Sequence, residues 1–376
     1  MSGIYLHIPF CAKQCSYCDF HFSTTFESYR SEMIAALAKE IDMRAPNWPE
    51  RSLQTIYFGG GTPSLLKPHE LKCILDTIAS HFDVSNVSEI TLEANPDDCS
   101  DEQILAWKQL GINRLSLGIQ STTEDQLSWM NRTHSAHEGL EAVKRAIACG
   151  ITEISVDLIY GLPGLSLQDW EKQLDEITEL PIQHISAYCL TIEERTPLAH
   201  WVKKGTIHPV DADLQSQQFE TLVKRLADAG FEQYEISNFA RDNAYAKHNS
   251  AYWLGKKYLA IGPSAHGYDG EKRYWNVANN QSYIRAISAN ELAQETEILT
   301  AYDQFNERLM IGLRTKWGVS LAELESLCKP DPAWYVQLDE FRQKGYFEEH
   351  ADKLILTVPG RLLADAIASE LFLLAE

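Results

Sequence analysis

The stretch Ile4-Tyr-Leu-His-Ile8-Pro-Phe-Cys11-Ala-Lys-Gln-Cys15-Ser-Tyr-Cys18 joins two signals. Residues 4–8 are a short apolar run stopped by Pro9, the pattern of a buried strand. Directly behind it, three of the chain's eight cysteines fall at CxxxCxxC spacing. A strand that ends in chemistry-bearing side chains is a clue to the architecture, and the clue repeats. The run 55–58 ends in Gly59-Gly60-Gly61, 89–92 in Glu93-Ala94-Asn95-Pro96, and 114–119 in Gln120-Ser121. The run 154–159 ends in Tyr160-Gly161 and 185–190 in Thr191, with Asp157 inside the fifth run.

Between these runs lie amphipathic segments with readable ends. Ser100 with Gln103 and Ser135 with Glu138 predict capping boxes, and Gly111 and Gly150 predict helix stops. Residues 211–229 predict a further helix closed by Gly230. Strand–helix alternation of this kind implies right-handed βαβ units and a parallel sheet. Ligand chemistry gathered from many consecutive strand ends points to a (β/α) barrel, whereas a Rossmann-type sheet concentrates it at one switch point. The expected fold class is therefore α/β, a partial (β/α)6 TIM-like barrel over residues 1–235. Residues 236–298 lose the rhythm and read as a connecting region. Residues 299–376 read as a small winged-helix-like domain, with helices over 305–314, 320–328 and 333–344 and a strand over 353–358.

Cys11, Cys15 and Cys18 can converge on one metal site from a single loop. A structural zinc site is closed by four ligands, and an ordinary [4Fe–4S] cluster also takes four cysteines. Three leave one iron open to a ligand such as the amino and carboxylate groups of S-adenosylmethionine (SAM). The competing reading is zinc, with His21 or His7 as the fourth ligand. Zinc loops usually pair their first cysteines with a distant second pair, which favours iron–sulfur. Cys73, Cys99, Cys149, Cys189 and Cys328 are scattered and read as small hydrophobes.

With these motifs the chain resembles the radical SAM superfamily, in the branch of oxygen-independent coproporphyrinogen III dehydrogenases and HemW-type haem chaperones. The resemblance is carried by Tyr5-Leu-His-Ile-Pro-Phe, CxxxCxxC, Gly59-Gly-Gly-Thr-Pro63, Asp157-Leu-Ile-Tyr-Gly-Leu-Pro163 and His248-Asn-Ser-Ala-Tyr-Trp253. It implies a [4Fe–4S] cluster on Cys11, Cys15 and Cys18. It also implies a SAM site drawing on Tyr5, Tyr17, Gly60, Gly61, Thr62, Glu93, Gln120, Arg132 and Asp157. The chemistry suits these roles: carboxylates and amides bond ribose hydroxyls, and an arginine fork pairs with a carboxylate. His248, Asn249, Tyr252 and Trp253 match an HNxxYW pattern associated with haem, in which a histidine nitrogen and flat aromatic faces suit a porphyrin. His266, in Gly262-Pro-Ser-Ala-His-Gly267, reads as a structural histidine in a glycine turn, with a second ligand as the alternative.

Two features separate the branches. The dehydrogenases usually show CxxxCxxCxC and carry a longer segment before the cluster. Here Phe20 stands two after Cys18, and the first cysteine is residue 11. The expectation is thus a haem carrier that delivers haem to apo-haem proteins and takes electrons from a donor; the dehydrogenase is the runner-up. The 33 Lys and Arg against 53 Asp and Glu give a formal charge of −20, which disfavours nucleic acid and with it the tRNA-modifying relatives. No leader pattern and no apolar run near the about 18 residues of a membrane span are present, so the expected place is the cytoplasm, with any membrane contact peripheral.

Overall fold

The computed structural model describes residues 2–350 and 352–374. Met1 and Glu376, the outer limits of the first and third expected segments, lie outside them, as do Ala351 and Ala375. Six strands, β1 (Gly3–Ile8), β2 (Thr55–Gly60), β3 (Glu89–Ala94), β4 (Arg114–Gln120), β5 (Glu153–Tyr160) and β6 (His184–Cys189), pair in parallel and in chain order. Each is followed by a helix: Arg30–Arg44, Pro68–His81, Asp101–Gln109, Ala136–Ala148, Leu167–Thr178 and Ala212–Asp228. The Ser135 capping box is complete. At Ser100 only half forms: the hydroxyl accepts from Gln103 N at 3.2 Å, while the Gln103 amide turns to Leu66 O.

The strands are two-sided. Leu92, Leu115, Leu117, Ile154, Val156, Leu158 and Ile185 join the main apolar core, each burial contributing about 1.5–3 kcal/mol. The alternate residues Thr91, Glu93, Arg114, Ser116, Ser155, Asp157, His184 and Ser186 line cavities inside the sheet's curve. A TIM barrel usually fills its interior with branched apolar side chains. Here the interior row is polar and leaves space.

The segment after residue 231 extends this sheet at both ends. β7 (Glu232–Glu235) and β8 (Asn238–Ala240) form a hairpin antiparallel to β6. On the far side β9 (Tyr258–Ile261) runs parallel to β1, followed by an antiparallel ribbon of β10 (His266–Tyr268), β11 (Lys272–Asn276) and β12 (Gln294–Ile298). The twelve strands make an open series with β12 and β7 at its edges. Glu40, wholly buried on the first helix, pins the ribbon: its carboxylate accepts from Gly262 N at 2.8 Å and Asn276 Nδ2 at 2.7 Å.

A second core, with Phe305, Leu309, Trp334, Leu338, Phe341 and Ile367, belongs to the C-terminal helices. The strand expected over 353–358 is confined to Lys353–Leu354, which pairs with Val319–Ser320. Val358 instead opens a helix, because Thr357 caps it through Gly360 N at 3.3 Å and Pro359 suits a first turn. Among the described residues no helix is long and apolar enough to cross a membrane.

Candidate functional site

The loop after β1 is anchored on several sides. Cys11 N donates to Ser23 O at 3.1 Å, Ser16 N to Met130 O at 3.2 Å, and Asn131 Nδ2 to Gln14 O at 2.6 Å. Gly61 N donates to Ile8 O at 2.9 Å, so the end of β2 lies directly against the strand that leads to Cys11. A Cβ on Gly61 would stand 2.6 Å from Phe10 O and 2.8 Å from Ile8 O, both backbone atoms that cannot swing aside. The glycine run therefore lets two strand ends touch.

Cys11, Cys15 and Cys18 are free, half-buried thiols facing a cavity of about 400 Å³ at the C-terminal ends of the strands. Tyr17, Gly60, Gly61, Thr62, Glu93, Gln120, Arg132 and Asp157 line the same cavity. Arg132 reaches Asn95 Oδ1 at 2.7 Å, Gly118 O at 2.8 Å and Cys15 Sγ at 3.5 Å, and its buried Nε has no partner. Glu93 accepts from Tyr57 OH at 2.7 Å and Gly60 N at 3.2 Å. Burial, with the nearby Asp157 carboxylate, raises its pKa to about 7. Asp157 accepts from Ser116 Oγ at 2.8 Å, and burial raises its pKa as well. Gln120 has φ 67°, a left-handed backbone at the point where the β4–β5 pairing shifts register. Burial lifts the Cys11 thiol to about 11 and Cys18 to about 12, so both are protonated until a metal draws the protons off.

Three placements differ from the sequence reading. Tyr5 lines not this cavity but two adjoining ones, with its ring stacked 6.0 Å from Tyr57. Cys189, read as a bystander, lines the cysteine cavity at the end of β6. The HNxxYW residues lie on the helix Lys247–Trp253 across the N-terminal ends of β1–β3, with Glu89 accepting from Lys247 N at 2.7 Å and His248 N at 2.8 Å. His248, Asn249 and Tyr252 face a polar cavity of about 210 Å³ in the sheet's curve. Trp253 packs instead toward Arg314, 5.6 Å from its guanidinium.

Both His248 nitrogens are committed, Nδ1 with Thr55 Oγ1 at 2.8 Å and Nε2 with Tyr252 OH at 2.7 Å. The ring stacks on Tyr57 at 5.1 Å, and burial pushes its pKa down to about 3, which keeps it neutral. His248→Ala is expected to cost about 3–5 kcal/mol, because it removes a buried ring and orphans two buried hydroxyls. Urea unfolding checks this; a loss under about 1 kcal/mol would mean that the imidazole does not hold the floor together.

Residues 5–177 match the profile of the Radical SAM superfamily, and residues 299–363 that of the HemN C-terminal domain. The heme chaperone HemW of Mycobacterium tuberculosis is 36% identical over 373 residues, 98% of this chain and 94% of that one. The chain belongs to the HemW family of the radical SAM superfamily. HemW of Bacillus subtilis is 33% identical over 371 residues, 98% of each chain. This HemW-family chain shares its fold with the coproporphyrinogen III oxidase HemN of Escherichia coli, at a TM-score of 0.84 and 21% identity over 99% of this chain and 90% of that one.

The superfamily implies a [4Fe–4S] cluster and SAM. The residues present fit both. Three unpaired thiols share one cavity mouth, and a guanidinium with an unsatisfied nitrogen stands behind them. Among the described residues no three His, Cys, Asp or Glu side chains close on a single ion. A cluster takes one thiolate to each of three irons and asks for no such convergence. Of the histidines weighed as a zinc ligand, His7 has both nitrogens bonded, to Tyr5 OH and His21 O, and His21 has Nε2 bonded to Asn280 at 2.7 Å.

The polar interior itself escaped the sequence reading. Ser155, Ser186, His184 and Tyr234 form a buried hydrogen-bonded network there, with His184 Nε2 2.7 Å from Tyr234 OH, and Arg114 lines the same cavity. The available signal was the strict alternation Arg-Leu-Ser-Leu over residues 114–117.

Proposed function

We propose that this chain is a haem chaperone that binds a [4Fe–4S] cluster, SAM and haem, and hands haem to apo-haem proteins in the cytoplasm. The observation that carries the proposal is the end-to-end likeness to proteins named heme chaperone HemW, joined to an intact three-cysteine cavity.

Cys11, Cys15 and Cys18 would hold the cluster, whose chemistry when bound is one-electron transfer from an external donor. Gly60, Gly61 and Thr62 bring backbone close to the cavity without side-chain bulk. Arg132, anchored by Asn95 and Gly118, offers the fork for the SAM carboxylate. Glu93, Gln120 and Asp157 present acceptors for amino and hydroxyl groups from three neighbouring strands. Tyr17 closes one wall with an aromatic face. The helix carrying His248, Asn249 and Tyr252 serves as a rigid floor.

The test is anaerobic reconstitution followed by haem titration. One haem per chain should survive desalting and move to apomyoglobin. Failure to retain haem would overturn the carrier, and vinyl products formed from coproporphyrinogen III would replace it with the dehydrogenase.

A further inference from the structure

Where an imidazole holds haem iron, its ligating nitrogen must be bare and face a space that admits the flat macrocycle. Both nitrogens of His248 are hydrogen-bonded, as are both of His7, and Nε2 of His21 is held by Asn280. His266 differs. Its ring is exposed, makes no hydrogen bond among the described residues, and stacks on Trp275 with centroids 6.0 Å apart. Burial on one side and the nearby Arg273 cation hold it below the ordinary imidazole range, so its lone pair is free at neutral pH.

His266 borders a cavity of about 440 Å³ whose walls are the aromatic rings of Tyr5, Phe20, Tyr252 and Tyr258, with His7, His21, Asp19 and Glu93 also on its lining. The register explains why these side chains meet. His266 pairs Trp275, and Tyr268 pairs both Arg273 and Tyr258. Directly opposed residues share a face, as do residues two apart on one strand. Tyr258 in turn lies beside Gly3, two residues before Tyr5. The ribbon thus continues the inner face of β1 as an aromatic shelf, behind which the Arg273 guanidinium is ion-paired to Glu307 at 2.8 Å.

Phe20 supplies the opposite lip. It is 66% exposed, the wrong place for a phenylalanine in an isolated surface loop, and it borders both this cavity and that of the cysteines. The turn that presents His266 is stiff: Ser264 has φ 63°, and Gly262 N is tied to Glu40.

We infer that haem sits on this shelf, between Phe20 and the aromatic face of the ribbon, with the His266 imidazole as its iron ligand. The inference rests on the haem-chaperone reading above and gives that reading a site, beside the cluster rather than on the HNxxYW helix.

Ferric haem titrated into the full-length protein tests it, read by the Soret band and by electron paramagnetic resonance. The wild-type protein should show a histidine-ligated spectrum. His266→Ala should lose that signature, hold haem at least tenfold more weakly, and recover the signature with added imidazole. His266→Met should keep haem but change its spectrum, and Phe20→Ser should weaken binding with the ligand signature intact. Unchanged melting of each variant in the absence of haem excludes misfolding as the cause. A wild-type spectrum retained by His266→Ala, or lost in His21→Ala alone, overturns the inference and leaves the carrier standing. A wild-type protein that binds no haem overturns the carrier reading, and this site with it.

Discussion

Cys15→Ala is expected to abolish cluster retention. Iron per chain after anaerobic reconstitution should fall to near zero, and the brown colour with it. The loop would supply one thiolate to each of three irons, and among the described residues Cys189 is the one other cysteine on the cavity. Cys189 sits at the end of β6, paired with Tyr160 of β5, and so on a different element from the cysteine loop. The variant should unfold within about 1 kcal/mol of the cluster-free wild type, because the Cys15 sulfur is half-buried and its contacts are polar ones at a cavity mouth, with Arg132 at 3.5 Å and with Tyr17. This split between lost metal and kept stability marks a ligand rather than a core residue. Stoichiometric iron in Cys15→Ala would show that the three-cysteine assignment is wrong.

Glu40→Ala should cost about 3–5 kcal/mol of stability. Its carboxylate accepts from Arg44 Nε at 2.6 Å, Tyr283 OH at 2.6 Å, Asn276 Nδ2 at 2.7 Å and Gly262 N at 2.8 Å. Alanine would leave all four donors buried without that acceptor, along with an uncompensated guanidinium. Glu40→Gln keeps the shape but can serve fewer donors, so it should lose an intermediate amount. Thermal and urea unfolding read both variants. Since Gly262 and Asn276 belong to the β9–β11 ribbon, the damage should appear first as faster amide exchange there. A Glu40→Ala protein as stable as the wild type would mean that the network is not what fastens the ribbon.

The strand ends were legible because they announce themselves chemically. Cysteines, a glycine triplet and Glu93 each interrupt an apolar run, and each lands on the cavity. What stayed hidden has a physical reason in each case. Residues 114–119 and 154–159 read as buried runs, yet Arg114, Ser116, Ser155 and Asp157 are polar and face inward, since a barrel that keeps a cavity reverses the usual filling. Glu40 and Arg44 look like surface charges on a helix until Asn276 and Tyr283, distant in sequence, fold over them. The ribbon was read as a connection because β9 and β10 span four and three residues, and because β12 is exposed throughout its length. His248 was recognised as important; its importance in the structure is to the floor, through bonds to Thr55 and Tyr252 that no motif spacing reveals.

The exposed outer strand, β12, carries one further consequence. Its sequence is Gln-Glu-Thr-Glu-Ile, with Glu295 opposite Trp275 and Glu297 opposite Arg273. A bare strand edge is a template on which another chain can add itself, and a protein that trades in a greasy, self-stacking macrocycle is exposed to that hazard more than most. Two carboxylates on this edge, in a chain already at −20, make a second copy's matching edge repel it. On the site inferred above, this edge strand would keep loaded molecules apart, leaving the macrocycle free to go to a partner instead of gluing its carriers together.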